Sequence, residues 1–153
     1  MKASSIRQKG QQGERDVAKL LNPIVHKVKR EFGVSEENIL NPHNQIGRNH
    51  SQAATGGNDL VNTFGLSIEV KRQESLAINT WWVQTVKAAE ALNHKPVLIY
   101  RRNGERNWHV MMLADLPLRI REPVRVEITM TDFLVWFEMW ARMNIQIDAI
   151  KGE

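Results

Sequence analysis

The sequence predicts an α/β fold, with a central mixed β-sheet flanked by helices. Three observations predict it. Apolar residues recur at helical spacing near the start, where Val17, Leu20, Leu21, Ile24 and Val28 fall three or four apart. Apolar and polar residues alternate strictly in the middle, where Leu66, Ile68 and Val70 face one way and Ser67, Glu69 and Lys71 the other. The segments follow in the order helix, strands, helix, strands, helix.

Composition bounds the class. The chain has 153 residues, 42% hydrophobic and 25% charged, which fits one globular domain over residues 1–153. No apolar stretch reaches the roughly 18–20 residues of a membrane span, and the first residues lack the apolar core of a secretory signal. There is no cysteine, which excludes disulfides, a thiolate nucleophile and Cys-ligated zinc. A cytoplasmic, non-secreted protein is expected. Net charge is +4 and the pI about 9.6. Residues 1–30 carry eight Lys/Arg against two acids, and residues 127–153 two against five. A basic front end suits a polyanion such as nucleic acid; it is also what a solvated helix face looks like.

In chain order, Asn22-Pro23 interrupts the first helical pattern and predicts a kink or a second helix start. Gly33 ends the pattern. Ile39-Leu40 is expected as a short strand, and residues 41–58 as a long polar loop, a length usually tied to function or disorder. Residues 59–62 and 66–72 read as two strands joined by a tight turn. Asn79-Thr80 is expected to cap a helix to about Asn93, with Trp82, Val86, Ala89 and Leu92 inward. Pro96 opens an apolar strand, Asn103-Gly104 signals a hairpin, and strands follow near Trp108–Leu113 and Val124–Met130. Thr131-Asp132 then caps a last helix. That helix is apolar nearly all round, at Phe133, Leu134, Val135, Trp136, Phe137, Met139 and Trp140. Burial on both sides is expected, within its own domain or against a second subunit.

Chemistry concentrates in Asp59 and, ten residues on, Glu69-Val70-Lys71. Two carboxylates meet at a hairpin end if one leads the first strand and the other lies on the second. Glu69 and Lys71 share a strand face. An acidic pair beside a lysine is the equipment for metal-assisted phosphodiester hydrolysis: hard oxygens hold Mg²⁺, the cation acidifies a water, and the lysine orients it or steadies charge on phosphorus. A solvated sheet face yields the same pattern by chance. Three neighbours favour the chemical reading. The strand is otherwise apolar, Gly56-Gly57 lead into Asp59, and Glu14 offers another acid in the first helix.

The runs Lys9-Gly10, Gly13-Glu14-Arg15, Gly56-Gly57-Asn58-Asp59-Leu60 and Ile68-Glu69-Val70-Lys71, with the later Pro96–Arg102 and Trp108–Met111, resemble the archaeal-type Holliday junction resolvases and their phage relatives. These belong to the PD-(D/E)XK, or restriction-endonuclease-like, nucleases. The likeness covers about residues 7–113, leaving a strand and the apolar helix over about 114–153. The resemblance implies a restriction-endonuclease-like core and a DNA endonuclease needing Mg²⁺, with Mn²⁺ able to substitute. Glu14, Asp59 and Glu69 would bind the metal, with Lys71 the catalytic lysine. It also implies a homodimer nicking two strands of a four-way junction. Asn58 stands where the superfamily name has proline.

Lys9, Arg15, Arg72, Arg101 and Arg102 flank this set and are candidate phosphate contacts. Gln84, on the second main helix, is a candidate site residue. Trp81 and Trp82 cannot share a helix face, so one is expected in the core. Arg48, His43 and His50 lie in the polar loop, and with no third strong ligand a zinc site is not expected. Two alternatives remain open: a sibling nuclease acting on other DNA structures, and a non-catalytic nucleic-acid-binding module.

Overall fold

Val17, Leu21, Val25 and Val28 are buried along one face of a single long helix, α1 (Ala3–Glu31). The computed structural model describes residues 3–50, 58–115 and 122–151. The predicted break at Asn22-Pro23 does not occur, and Pro23 lies inside α1. Asn22 does not cap anything. Its amide donates to Ile46 O over 2.9 Å and its oxygen accepts from Ile46 N over 2.8 Å, so it serves a neighbouring segment as a strand edge would. Gly33, at φ +76°, ends the helix as expected. Val34 N–H returns to Lys29 O and Gly33 N–H to Arg30 O, the bond pair of a left-handed helix stop.

The expected strand at Ile39-Leu40 is instead a short helix, α2 (Glu36–Leu40). Ser35 caps it by accepting from Asn38 N–H, and Glu36 and Glu37 sit in its first turn, where the helix dipole favours acids. Two apolar residues are too few to reveal a period. The polar loop is partly regular. Pro42–Asn44 form a 3-10 turn capped by Asn41. Strand β1 (Gly47–Arg48) then pairs antiparallel with β2 (Leu60–Val61). Gly56 and Gly57 lie outside the described residues.

Strand β3 (Leu66–Gln73) follows the expected tight turn. Asn62, Phe64 and Gly65 take positive φ there, and Thr63 Oγ1 donates to Leu66 O. The main sheet runs β3-β4-β5-β6, with β4 at Lys95–Arg102, β5 at His109–Ala114 and β6 at Val124–Thr129. Strands β3 and β4 are parallel and the other pairs antiparallel. Helix α3 (Ile78–Leu92) makes the crossover that parallel neighbours require. Helix α4 (Met130–Lys151) closes the described chain. This is the expected α/β arrangement, consistent with a restriction-endonuclease-like core.

Two layers of side chains cover the sheet. Ile68, Val70, Val97, Ile99, Val110 and Met112 face α1 and α4, whose Phe133, Phe137, Ala141 and Ile145 join the same cluster. On the other face Leu98, Tyr100 and Met111 pack under Trp81 of α3. The inward face of α3 differs in part from expectation: Ala89 is buried as expected, but it is joined by Trp81, Thr85 and Ala88, while Leu92 is exposed. Of the adjacent tryptophans, Trp81 lies against the Tyr100 ring. The helix starts at Ile78 without a side-chain cap, and Asn79 accepts from Arg125 instead. At α4 the capping oxygen belongs to Thr129, two residues before the expected Thr131. Among the described residues, the chain's own fold buries one side of α4. Val135, Met139, Met143 and Ile147, four apart, are exposed on the opposite side.

Candidate active site

Gly13 fixes how closely α1 lies on β3. A Cβ there would stand 3.2 Å from the Trp108 ring and 3.4 Å from Val70 Cγ1. The close approach puts the next residue, Glu14, at the sheet edge, where it is buried. Asp59 reaches the same edge from the start of β2. Its N–H donates to Ile68 O over 2.9 Å, and its Oδ2 accepts from Val70 N–H over 2.6 Å. The two bonds clamp Asp59 beside Glu69, whose carboxyl hydrogen-bonds with that of Asp59. Both acids are buried.

Burying two carboxyls together costs ionisation energy. Burial first, then the Asp59 charge and their hydrogen bond, push Glu69 up to about 8, against the pull of Lys71. Burial also raises Glu14, whereas its bond to Arg48 pulls it down. Arg48 Nε lies 2.6 Å from Glu14 Oε2. Among the described residues no three His, Asp or Glu side chains already stand as a metal cage; Asp59 and Glu69 are together, and Glu14 is turned to Arg48. The donor set nevertheless fits a hard divalent cation. It consists of carboxylate oxygens, and at neutral pH the buried pair retains a proton that a cation would replace.

A cleft of about 200 Å³ is lined by Gly10, Glu14, Asp59, Lys71 and Arg72 among others. A hollow of about 280 Å³, with Lys9, Arg72 and Asn103, shares Ile6, Arg72 and Gln73 with it. On the other side a hollow of about 680 Å³, with Arg7, Arg48, Asn49 and His50, shares Gly10 and Glu14. The cleft that holds Glu14 and Asp59 thus adjoins two recesses, one lined by Lys9, Arg72 and Glu74 and the other by Arg7, Arg48 and Glu14.

Residues 5–135 match the family described as phage putative PDDEXK endonuclease. The chain belongs to this family. No curated protein and no solved structure matches it. PDDEXK nucleases generally use divalent metals and act on DNA. No helix among the described residues is long and apolar enough to cross a membrane.

Of the PDDEXK site residues expected from sequence, Glu14, Asp59 and Lys71 line the central cleft, and Glu69 adjoins it through Asp59. Lys9 and Arg72 line the adjoining hollow. Arg101 pairs in register with Arg72, stacks 4.2 Å over Trp108 and reaches Asp16 at 3.6 Å. The Nε groups of Arg72 and Arg101 are buried without an acceptor among the described residues. Arg15 and Arg102 are exposed. Gln84 is exposed on α3 and lines none of the three recesses. Sequence reading gave Arg48 no role at the acids. Its partner lies 34 residues away, and no periodicity spans such a distance.

Proposed function

We propose that this chain is a Mg²⁺-dependent, structure-selective DNA endonuclease acting on branched DNA, specifically on four-way junctions, as a homodimer in the host cytoplasm. One observation carries the catalytic part: Asp59, tied to Val70 N–H, is buried together with Glu69, which lies on the strand that also carries Lys71.

Asp59, Glu69 and Glu14 would hold the cation, Mg²⁺ or in its place Mn²⁺. Bound there, it would neutralise charge on the phosphate oxygens and acidify a water. Lys71, on the same strand face as Glu69, orients the attacking water and offsets charge on the phosphate. Val70 N–H keeps Asp59 in place. Arg72, which lines the cleft and the hollow beside it, and Arg101, its neighbour in register, would contact the backbone of the bound strand, with Lys9, Arg15 and Arg102 farther along it. Phosphate contacts of this kind position DNA without reading its sequence, which suits a shape-selective enzyme. Val135, Met139, Met143 and Ile147 offer an apolar face for a second subunit, and two subunits would supply two sites for paired nicks.

The test compares a labelled four-way junction with a linear duplex of matched sequence, each with Mg²⁺ and with EDTA. Paired, Mg²⁺-dependent nicks in the junction alone are expected. Equal cutting of both substrates would replace the resolvase reading with a sibling nuclease, and binding without cutting would leave a non-catalytic module.

A further inference from the structure

Arg48 reaches the acids from β1, and that strand is held on both sides. Asn22 of α1 bonds both main-chain groups of Ile46, and Asn49 N–H donates to Asp59 O over 2.8 Å. Arg48 is therefore fixed relative to the helix that carries Glu14 and to the segment that carries Asp59. The Arg48–Glu14 pair is largely enclosed, with side chains 21% and 11% exposed. An enclosed pair resists loss of either partner, because the remaining charge is stranded. While it lasts, Glu14 cannot give its carboxylate freely to a cation at Asp59 and Glu69.

Arg48 has a second outlet. It lines the open hollow of about 680 Å³ with Arg7, Gln11, Asn49 and His50. That hollow touches the cleft through Glu14 and Gly10. A guanidinium fork matches phosphate as well as carboxylate, so a strand laid along the hollow offers it an alternative partner.

We propose that Arg48 is a positioning residue that couples DNA binding to cation binding: it restrains Glu14 in the free protein and transfers to a backbone phosphate of bound DNA, releasing Glu14 to join Asp59 and Glu69. The proposal rests on the nuclease reading above. No bond is made or broken beyond the exchange of one ion pair for another. The cation site becomes complete only when substrate is present, and by linkage the cation tightens DNA by the same factor that DNA tightens the cation.

Calorimetric titration with Ca²⁺ tests this, since Ca²⁺ takes the same oxygen donors in a looser geometry. The full chain is titrated alone and with a saturating four-way junction, as wild type, Arg48→Gln and Arg48→Lys, with circular dichroism melts to confirm folding. For the wild type, DNA is expected to tighten Ca²⁺ by roughly fivefold or more. Arg48→Gln is expected to bind Ca²⁺ more tightly than wild type without DNA, and to gain less from DNA. A folded Arg48→Gln whose DNA-free affinity equals or falls below wild type overturns the proposal. Should that variant fail to fold, Arg48→Lys decides: tighter DNA-free binding than wild type supports the exchange, and unchanged binding overturns it. A wild type that binds neither DNA nor Ca²⁺ overturns the nuclease reading itself. Binding of both, with Arg48→Gln unaltered, overturns the coupling alone.

Discussion

The main-chain N–H of Val70 donates to Asp59 Oδ2 over 2.6 Å, and this bond sets Asp59 against the carboxyl of the preceding residue, Glu69. Two acids ten positions apart in sequence are thereby forced into one buried place. Their repulsion, offset in part by Lys71, is the physical origin of the site's expected cation affinity.

That repulsion gives a pH signature. Glu69 titrates near 8 in the folded chain against 4.5 ordinarily. Between those values the folded chain holds a proton that the unfolded chain has released. The contribution to stability is therefore full below the ordinary value and is lost as pH rises through the folded one. The melting temperature of cation-free wild type should fall across that window relative to Glu69→Gln, which cannot titrate. Addition of Mg²⁺ at the alkaline end should restore it, since a ligand that binds only the folded state stabilises it. Parallel curves for the two proteins would contradict the pair's coupling.

Gly13 is the packing counterpart. A branched side chain there would drive into Trp108 and Val70. Gly13→Val should cost about 1–3 kcal/mol in urea unfolding and should lower cleavage by displacing Glu14. Unchanged stability would mean that α1 does not need this close approach.

Arg72 and Arg101 should each appear in the salt dependence of DNA binding. Replacing either by glutamine should reduce the slope of log affinity against log salt by about one, equally for all sequences tested. A slope that stays at the wild-type value removes that arginine from the phosphate contacts.

The exposed stripe of α4 addresses assembly. Met139 is 59% exposed at its centre. Wild type at micromolar concentration should sediment as a dimer and Met139→Lys as a monomer. A monomeric wild type would contradict the role given to this face.

Much of this was legible in the sequence, and the gaps have physical causes. Strict alternation revealed β3 and placed Glu69 with Lys71 because a strand's period is short and local. Gly33 was legible because only a special backbone conformation needs it. Asn22-Pro23 misled because both residues favour helix starts, whereas the structure uses the Asn22 amide to bond Ile46 far along the chain. The α3 face was misplaced because adjacent Trp81 and Trp82 are equivalent to a pattern, and only the position of Tyr100 separates them. Arg48 was passed over for a related reason: its partner is Glu14, across the second half of α1, α2 and the 3-10 turn.

The most direct measurement is single-turnover cleavage of a labelled four-way junction by wild type, Glu69→Gln and Lys71→Ala, with Mg²⁺ and with EDTA. The account predicts Mg²⁺-dependent cutting by wild type and a loss of roughly 10²–10³-fold or more in each variant, with folding and junction binding retained. Undiminished cutting by either variant, or cutting by wild type in EDTA, would contradict the assignment of these residues as the centre of hydrolysis.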